Sequence, residues 1–249
     1  MSGALQLVEL YTRHLAINGD MGNTLVLTER ARLAGIDVEV TRYNPGDELP
    51  EQVDLVTMGS GPSSALRAVA DDVARIAGTV RGWVDSNVPF LAIGGGYQLS
   101  GTSITGLGAE PIEGLGVFDA VTDAAASRAV TACFVVDSDL GRLVGIENHG
   151  SVTALGAGER ALGRAVTGRG NDGGGFEGAR AHEAIGTHMH GPMLAMNPAV
   201  ADHMLSVAAA AHGLEYVTND AHARLDTLAA ATRAHLDPSG AVARARGEA

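Results

Sequence analysis

The run Phe90-Leu91-Ala92-Ile93, entered from Pro89 and left through Gly94-Gly95-Gly96, constrains the fold more than any other stretch of this chain. Four consecutive apolar residues without polar alternation describe a strand covered on both faces, as in parallel sheets with helices above and below. The rest of the first half fits that frame. Residues 5–11, 38–40 and 55–58 read as strands, and 23–33 as a helix closed by Gly35. Ser63 or Ser64 is placed to cap a helix whose Leu66, Val69, Val73 and Ile76 recur at helical spacing, with Gly78 expected to end it. Such alternation implies βαβ units. The second half is richer in strands, expected at 116–121, 129–136, 143–147, 162–167 and 183–187. A helix follows with Asn197 as N-cap, Pro198 in its first turn, Val200, Met204 and Val207 on one face, and Gly213 at its end. Residues 220–236 form another. The reading is one α/β domain over 1–236 and a mobile tail over 237–249.

Composition narrows the chemistry. The net charge is −12, which argues against a general nucleic-acid-binding surface. All 17 basic residues are arginine, so there is no P-loop lysine, no Schiff-base lysine and no lysine nucleophile. ATP chemistry, if the reaction uses it, is expected in another subunit. The single cysteine, Cys133, has no internal disulfide partner. No apolar run reaches the roughly 18 residues of a membrane span, and the N-terminus does not read as a signal peptide. A soluble cytoplasmic protein is the expectation.

The strand–glycine–helix pattern at 90–99 suits a nucleophile elbow, where the amide after the nucleophile helps to bind an oxyanion. It equally suits a glycine-rich turn or a phosphate cradle. His188 and His190, two apart on an expected strand, share a face and with His149 or His182 form a candidate zinc set. The glycine-rich residues 168–178 lack the Walker spacing and read as a hairpin connection. His14, His203, His212, His222 and His235 are expected at the surface.

Six segments occur in an order that carries a family resemblance. They are Asn18-Gly19-Asp20-Met21-Gly22-Asn23, Met58-Gly59-Ser60-Gly61, Gly94-Gly95-Gly96-Tyr97-Gln98, Ile112-Glu113-Gly114-Leu115-Gly116-Val117, Gly145-Ile146-Glu147-Asn148-His149-Gly150 and Gly186-Thr187-His188-Met189-His190-Gly191-Pro192. Together they resemble the CobB/CobQ-like class I glutamine amidotransferases, in particular the GatD-type branch of lipid II isoglutaminyl synthases. The resemblance implies a three-layer, flavodoxin-like α/β fold and hydrolysis of glutamine by a cysteine, without metal or organic cofactor in this chain. It places the nucleophile at 94, the general base at His190, and the oxyanion hole at Gly95 with an amide from Gly59, Ser60 or Gly61. Gln98 and Arg128 would contact L-glutamine. Asp20 and Asn23 match a motif near the rim of the site, or else cap the first helix.

Two departures stand out. Position 94 is glycine where the family has cysteine, so the chain is expected to form no thioester. Cys133, in an apolar run, is expected to be buried and no substitute. Two residues after His190, where the wider class carries an orienting glutamate, stands Pro192. By the resemblance, the third triad residue is an aspartate of a Mur-ligase-like partner of the MurT type, which also holds ATP and magnesium. A non-catalytic scaffolding or regulatory subunit, or an amidotransferase for a cobalamin-type acceptor, are the alternatives.

Overall fold

The computed structural model describes residues 4–237. The first half runs β1 (Leu5–Leu10), α1 (Gly22–Leu33), β2 (Val38–Tyr43), β3 (Leu55–Met58), α2 (Ser63–Asp85), β4 (Phe90–Ile93) and α3 (Gly95–Ser100). It continues through β5 (Ser103–Thr105), β6 (Ile112–Glu113), β7 (Ala120–Asp123), β8 (Ala129–Ser138), β9 (Gly141–His149) and β10 (Val152–Leu155). Then come β11 (Gly163–Ala165), β12 (Phe176–Glu177), β13 (Ala179–Ala181), β14 (Ala184–Thr187) and β15 (Met189–His190). The chain closes with α4 (Met193–Met196), α5 (Pro198–Ala211) and α6 (Asp220–Leu236).

The central sheet has the order β13-β14-β4-β3-β1-β2. All its pairings are parallel except that of β13 with β14. The parallel part, β2-β1-β3-β4-β14, has the flavodoxin-like order, in which ligands lie beyond the carboxyl ends of the strands. One face packs on α2 through Val69, Val73, Ile76 and Val80; the other packs on α1 and α5 through Leu27, Val200 and Met204. Each such fully buried side chain contributes about 1.5–3 kcal/mol. A four-stranded sheet, β10-β7-β5-β6, and a five-stranded one, β12-β11-β8-β9-β15, extend the second half.

Several local expectations are corrected. Helix α2 does not stop at Gly78 but continues to Asp85, because Val80 and Val84 prolong the buried stripe while Gly78 lies on the exposed face. Ser63 is its first helical residue, and the cap position belongs to Pro62. The strand expected at 116–121 starts only at Ala120, after a turn in which Gly116 has φ +66°. Cys133 is exposed rather than buried, since the β8–β9 ladder breaks in a bulge between Thr131 and Phe134. Asn197 stands at the start of α5, but its side chain clasps the Val144 backbone N–H and carbonyl, each at 2.9 Å. Val207 is only half-buried; Ala201, Leu205 and Ala208 carry the core face of α5 with Val200 and Met204.

His222 is fully buried, not at the surface. It closes a capping box with Asn219, and its Nε2 bonds the Arg30 carbonyl at 2.9 Å. Asp237, at the start of the expected tail, is buried and paired with Arg142 at 2.6 Å; the remainder of that tail lies outside the described residues.

Candidate active site

Asp20 follows β1, Ser60 follows β3, Gly94 follows β4 and His190 follows β14. The parallel order of those strands brings their carboxyl ends to one edge, and so gathers residues far apart in sequence. Strand β4 is wholly buried and turns abruptly at Gly94, with φ +53° and ψ −111°, before α3 begins. A side chain is strained in that conformation, and an elbow tolerates the strain because it aims the side chain. A Cβ placed on Gly94 would stand 2.6 Å from Ser60 Oγ and 2.7 Å from His190 Cε1. Position 94 therefore points at the imidazole, with only hydrogen there.

His190 is buried. Its Nδ1 lies 3.0 Å from Asp20 Oδ2 and 3.2 Å from Oδ1, while its Nε2 is buried without a partner. When Asp20 is ionised it can only accept, so Nδ1 carries a proton and, in the neutral ring, Nε2 holds the lone pair. Burial raises the Asp20 pKa, opposed by its hydrogen bonds from His190 and from the Ser60 amide. This chain thus places a carboxylate of its own against Nδ1 of its histidine. Asp20 does not cap α1, whose cap position is Met21. Asn23 ties the Asp20 carbonyl at 3.0 Å to the Leu194 amide at 2.9 Å. Pro192 wedges against Gly22, where a Cβ would stand 2.4 Å from its Cγ. Nothing in the sequence separated the capping role of Asp20 from the role beside His190.

The expected oxyanion donors lie together but are partly spoken for. Gly95 N–H donates to Ser60 Oγ at 3.0 Å, and the Ser60 amide serves Asp20. Ser60 thus fills the position by its side chain instead of offering its amide. Gly59 packs where any Cβ would collide with the Leu15 carbonyl at 2.3 Å; Gly61 N lies 3.2 Å from the Cβ position of Gly95.

A cavity of about 530 Å³ opens beside Gly94, lined among others by Ser60, Gly61, Gly95, Gln98, Arg128 and His149. Arg128 is exposed on its wall and donates to Asn148 Oδ1 at 2.6 Å. Gln98 Nε2 donates to Ser151 Oγ at 3.1 Å. Cys133 is not among the lining residues.

His149 is the residue of this wall that sequence reasoning assigned only to a metal set. Glu147 and His149 alternate at the end of β9 and Ser151 follows two residues later in the connection to β10; that period-2 spacing was the available signal. The zinc arrangement is not formed. After Thr187 the chain leaves the central sheet, and β15 pairs with β9, so His188 and His190 do not share one strand face. His188 stacks face to face on His149, with centroids 3.9 Å apart and planes within 4°. His182 lies at the surface near Asp85. Among the described residues no group of three or more His, Cys, Asp or Glu is arranged to hold a metal.

Two buried carboxylates, Glu147 and Glu177, are shifted in opposite directions. Burial alone would raise Glu147, but bonds from His149, Thr131 and the Arg169 and Gly170 amides outweigh it and hold the pKa at about 2. Glu177 is pushed up to about 7 by burial, against bonds from Thr187 and the His188 amide, and its Oε2 has no partner.

The structure matches one solved as "glutamine amidotransferase" with TM-score 0.55 at 20% identity, over 81% of this chain and 98% of that one. It matches PurLQS from Thermotoga maritima with TM-score 0.53 at 12% identity, over 84% of this chain and 97% of that one. Residues 10–198 match the CobB/CobQ-like glutamine amidotransferase domain, and the chain belongs to that family. Among curated relatives it is 32% identical to the lipid II isoglutaminyl synthase (glutamine-hydrolyzing) subunit GatD of Staphylococcus aureus, over 81% of this chain and 83% of the relative. It is 29% identical to the subunit of the same name from Streptococcus pneumoniae, over 82% of this chain and 80% of that protein. A cobyric acid synthase from Pelotomaculum thermopropionicum is 31% identical, but the match spans only 35% of its length.

Proposed function

We propose that this chain is the glutamine-site subunit of a lipid II-amidating ligase. In this reading a Mur-ligase-like partner of the MurT type uses ATP and magnesium to convert the D-glutamate α-carboxylate of the stem peptide to D-isoglutamine. The relatives matched over four-fifths of the chain support it more than the cobyric acid synthase does, whose match is partial. A heterodimer in the cytoplasm belongs to the same proposal; no helix among the described residues is long and apolar enough to cross a membrane.

The observation that carries the reading is the elbow at Gly94 aimed at the His190–Asp20 pair, beside a cavity that holds Arg128 and Gln98. Arg128 pairs with the ligand carboxylate. With cysteine at 94, His190 Nε2 takes the thiol proton, sulfur attacks the amide carbon, and the proton passes to the departing ammonia. Water then cleaves the thioester, giving up a proton to His190 and releasing glutamate. With glycine there is no sulfur to attack, and the chain binds glutamine without hydrolysing it.

The test is release of glutamate from glutamine in the presence of the partner, for this chain and for Gly94→Cys. The expected result is turnover by the cysteine version alone. Ser60 Oγ on the Gly95 amide favours a second reading, a non-catalytic subunit. Under it neither version turns over, and the partner's ligation with free ammonia still requires this chain.

A further inference from the structure

Gln98 and His149 line the cavity, and behind them Ser151 and Glu147 complete one connected run of polar groups. Glu147 is wholly buried and accepts from Thr131 Oγ1 at 2.7 Å, Arg169 N at 3.1 Å and Gly170 N at 2.8 Å. Four donors converge on it once His149 Nε2, 3.1 Å away, is included, and burial among donors keeps it an anion. An anionic carboxylate only accepts, so in the neutral ring His149 carries its proton on Nε2 and presents a lone pair at Nδ1. Ser151 Oγ, 3.0 Å from Nδ1, must then donate its single proton to that lone pair. What remains on Ser151 is a lone pair, and Gln98 Nε2 donates to it at 3.1 Å.

We propose that Glu147, His149 and Ser151 form a proton-ordered chain that fixes the Gln98 amide with its carbonyl oxygen toward the cavity, where it accepts the α-ammonium group of an amino acid. The inference rests on the glutamine-binding reading above and deepens it.

The reverse orientation of the amide is penalised. It sets the Gln98 carbonyl oxygen against a hydroxyl oxygen whose proton is already committed, leaving two buried acceptors face to face. His149 is further held in its plane by its stack on His188. Both His149 nitrogens are spent, and the ring meets the cavity as a wall rather than as an acid or base. Arg128 on the same cavity donates only, and Gln98 Oε1 accepts only. Together they match the two ends of a zwitterionic amino acid, carboxylate and ammonium. Ser151, which does not line the cavity, acts through Gln98 and is a positioning residue.

The glycine at 94 makes the test simple, because ligand is not consumed. Binding of L-glutamine and of glutaramate, its analogue without the α-ammonium group, is measured by calorimetry on the complex of this chain with its partner. The unaltered chain is expected to prefer L-glutamine about tenfold or more, the worth of a charge-assisted hydrogen bond. Ser151→Ala should bring that preference to within about threefold while glutaramate affinity stays within about twofold. Adding Gln98→Glu, which offers an acceptor in either orientation, should restore the preference. A merely structural role for Ser151 predicts equal losses for both ligands, and that result overturns the inference. So does a Ser151→Ala chain that keeps the full preference. If the unaltered complex binds both ligands equally, the inference alone fails; if it binds neither, the glutamine-site reading fails with it.

Discussion

Two histidines, His149 in the cavity wall and His190 against Gly94, each have a buried carboxylate behind them, and they are built for different work. His190 has Asp20 on Nδ1 and nothing on Nε2; His149 has Glu147 on Nε2 and Ser151 on Nδ1. The carboxylates differ in step. Asp20 has few donors and burial raises its pKa, whereas Glu147 collects four and sits at about 2. A histidine with one nitrogen free can exchange a proton with a ligand. One with both nitrogens committed can only hold its neighbours in place. The number of donors around the supporting carboxylate, more than the presence of a histidine, separates the two.

The strongest way to break the comparison is on the His190 side. In the Gly94→Cys chain with its partner, His190→Ala should lower glutamine turnover about 1,000-fold or more, whereas His149→Phe, which keeps the stack, should leave kcat within about tenfold and act on glutamine affinity. Next is Asp20→Asn in the same background. If Asp20 orients the imidazole, kcat falls about 100-fold with KM little changed. A kcat within twofold of the parent would assign that task to a partner residue instead.

The Glu147 side is tested by stability. Its pKa is lowered on folding, so its contribution is complete above the unfolded value of 4.5 and is lost as pH falls from there to about 2. Urea unfolding should show this loss as about 2–3 kcal/mol, and Glu147→Gln should abolish the dependence while weakening the fold at pH 7. Glu177 sharpens the contrast with the opposite sign. Its pKa is raised to about 7, so its charging costs stability as pH rises from 4.5 through 7. Glu177→Gln should remove that decline and gain about 1–2 kcal/mol at pH 8. A chain equally stable at pH 5 and pH 8 would show that Glu177 is not the buried, under-bonded acid described here.

Much of the architecture was legible because it is local. The four apolar residues before Gly94, the periodic Leu66, Val69, Val73 and Ile76, and the span of α6 all match the structure. Where local signals failed, packing overruled them. A glycine ended α2 on paper, yet the apolar stripe carried the helix past it. Cys133 sat in an apolar run, yet a bulge turned it outward. His222 looked like a surface residue, yet α1 offered it the Arg30 carbonyl.

By itself the sequence determined that position 94 has no side chain, that no lysine is available, and that strands and helices alternate through the first half. These are properties of single residues and short periods. Only the tertiary structure decided which carboxylate stands behind which histidine. Asp20 and His190 are 170 residues apart, and they meet because β1 and β14 end at the same edge of one parallel sheet. Glu147 acquires three of its four donors from the 168–178 connection and from β8, segments whose return to β9 no local pattern encodes. Protonation, orientation and reactivity depend on those donors, and so they are settled by distance in space rather than by order along the chain.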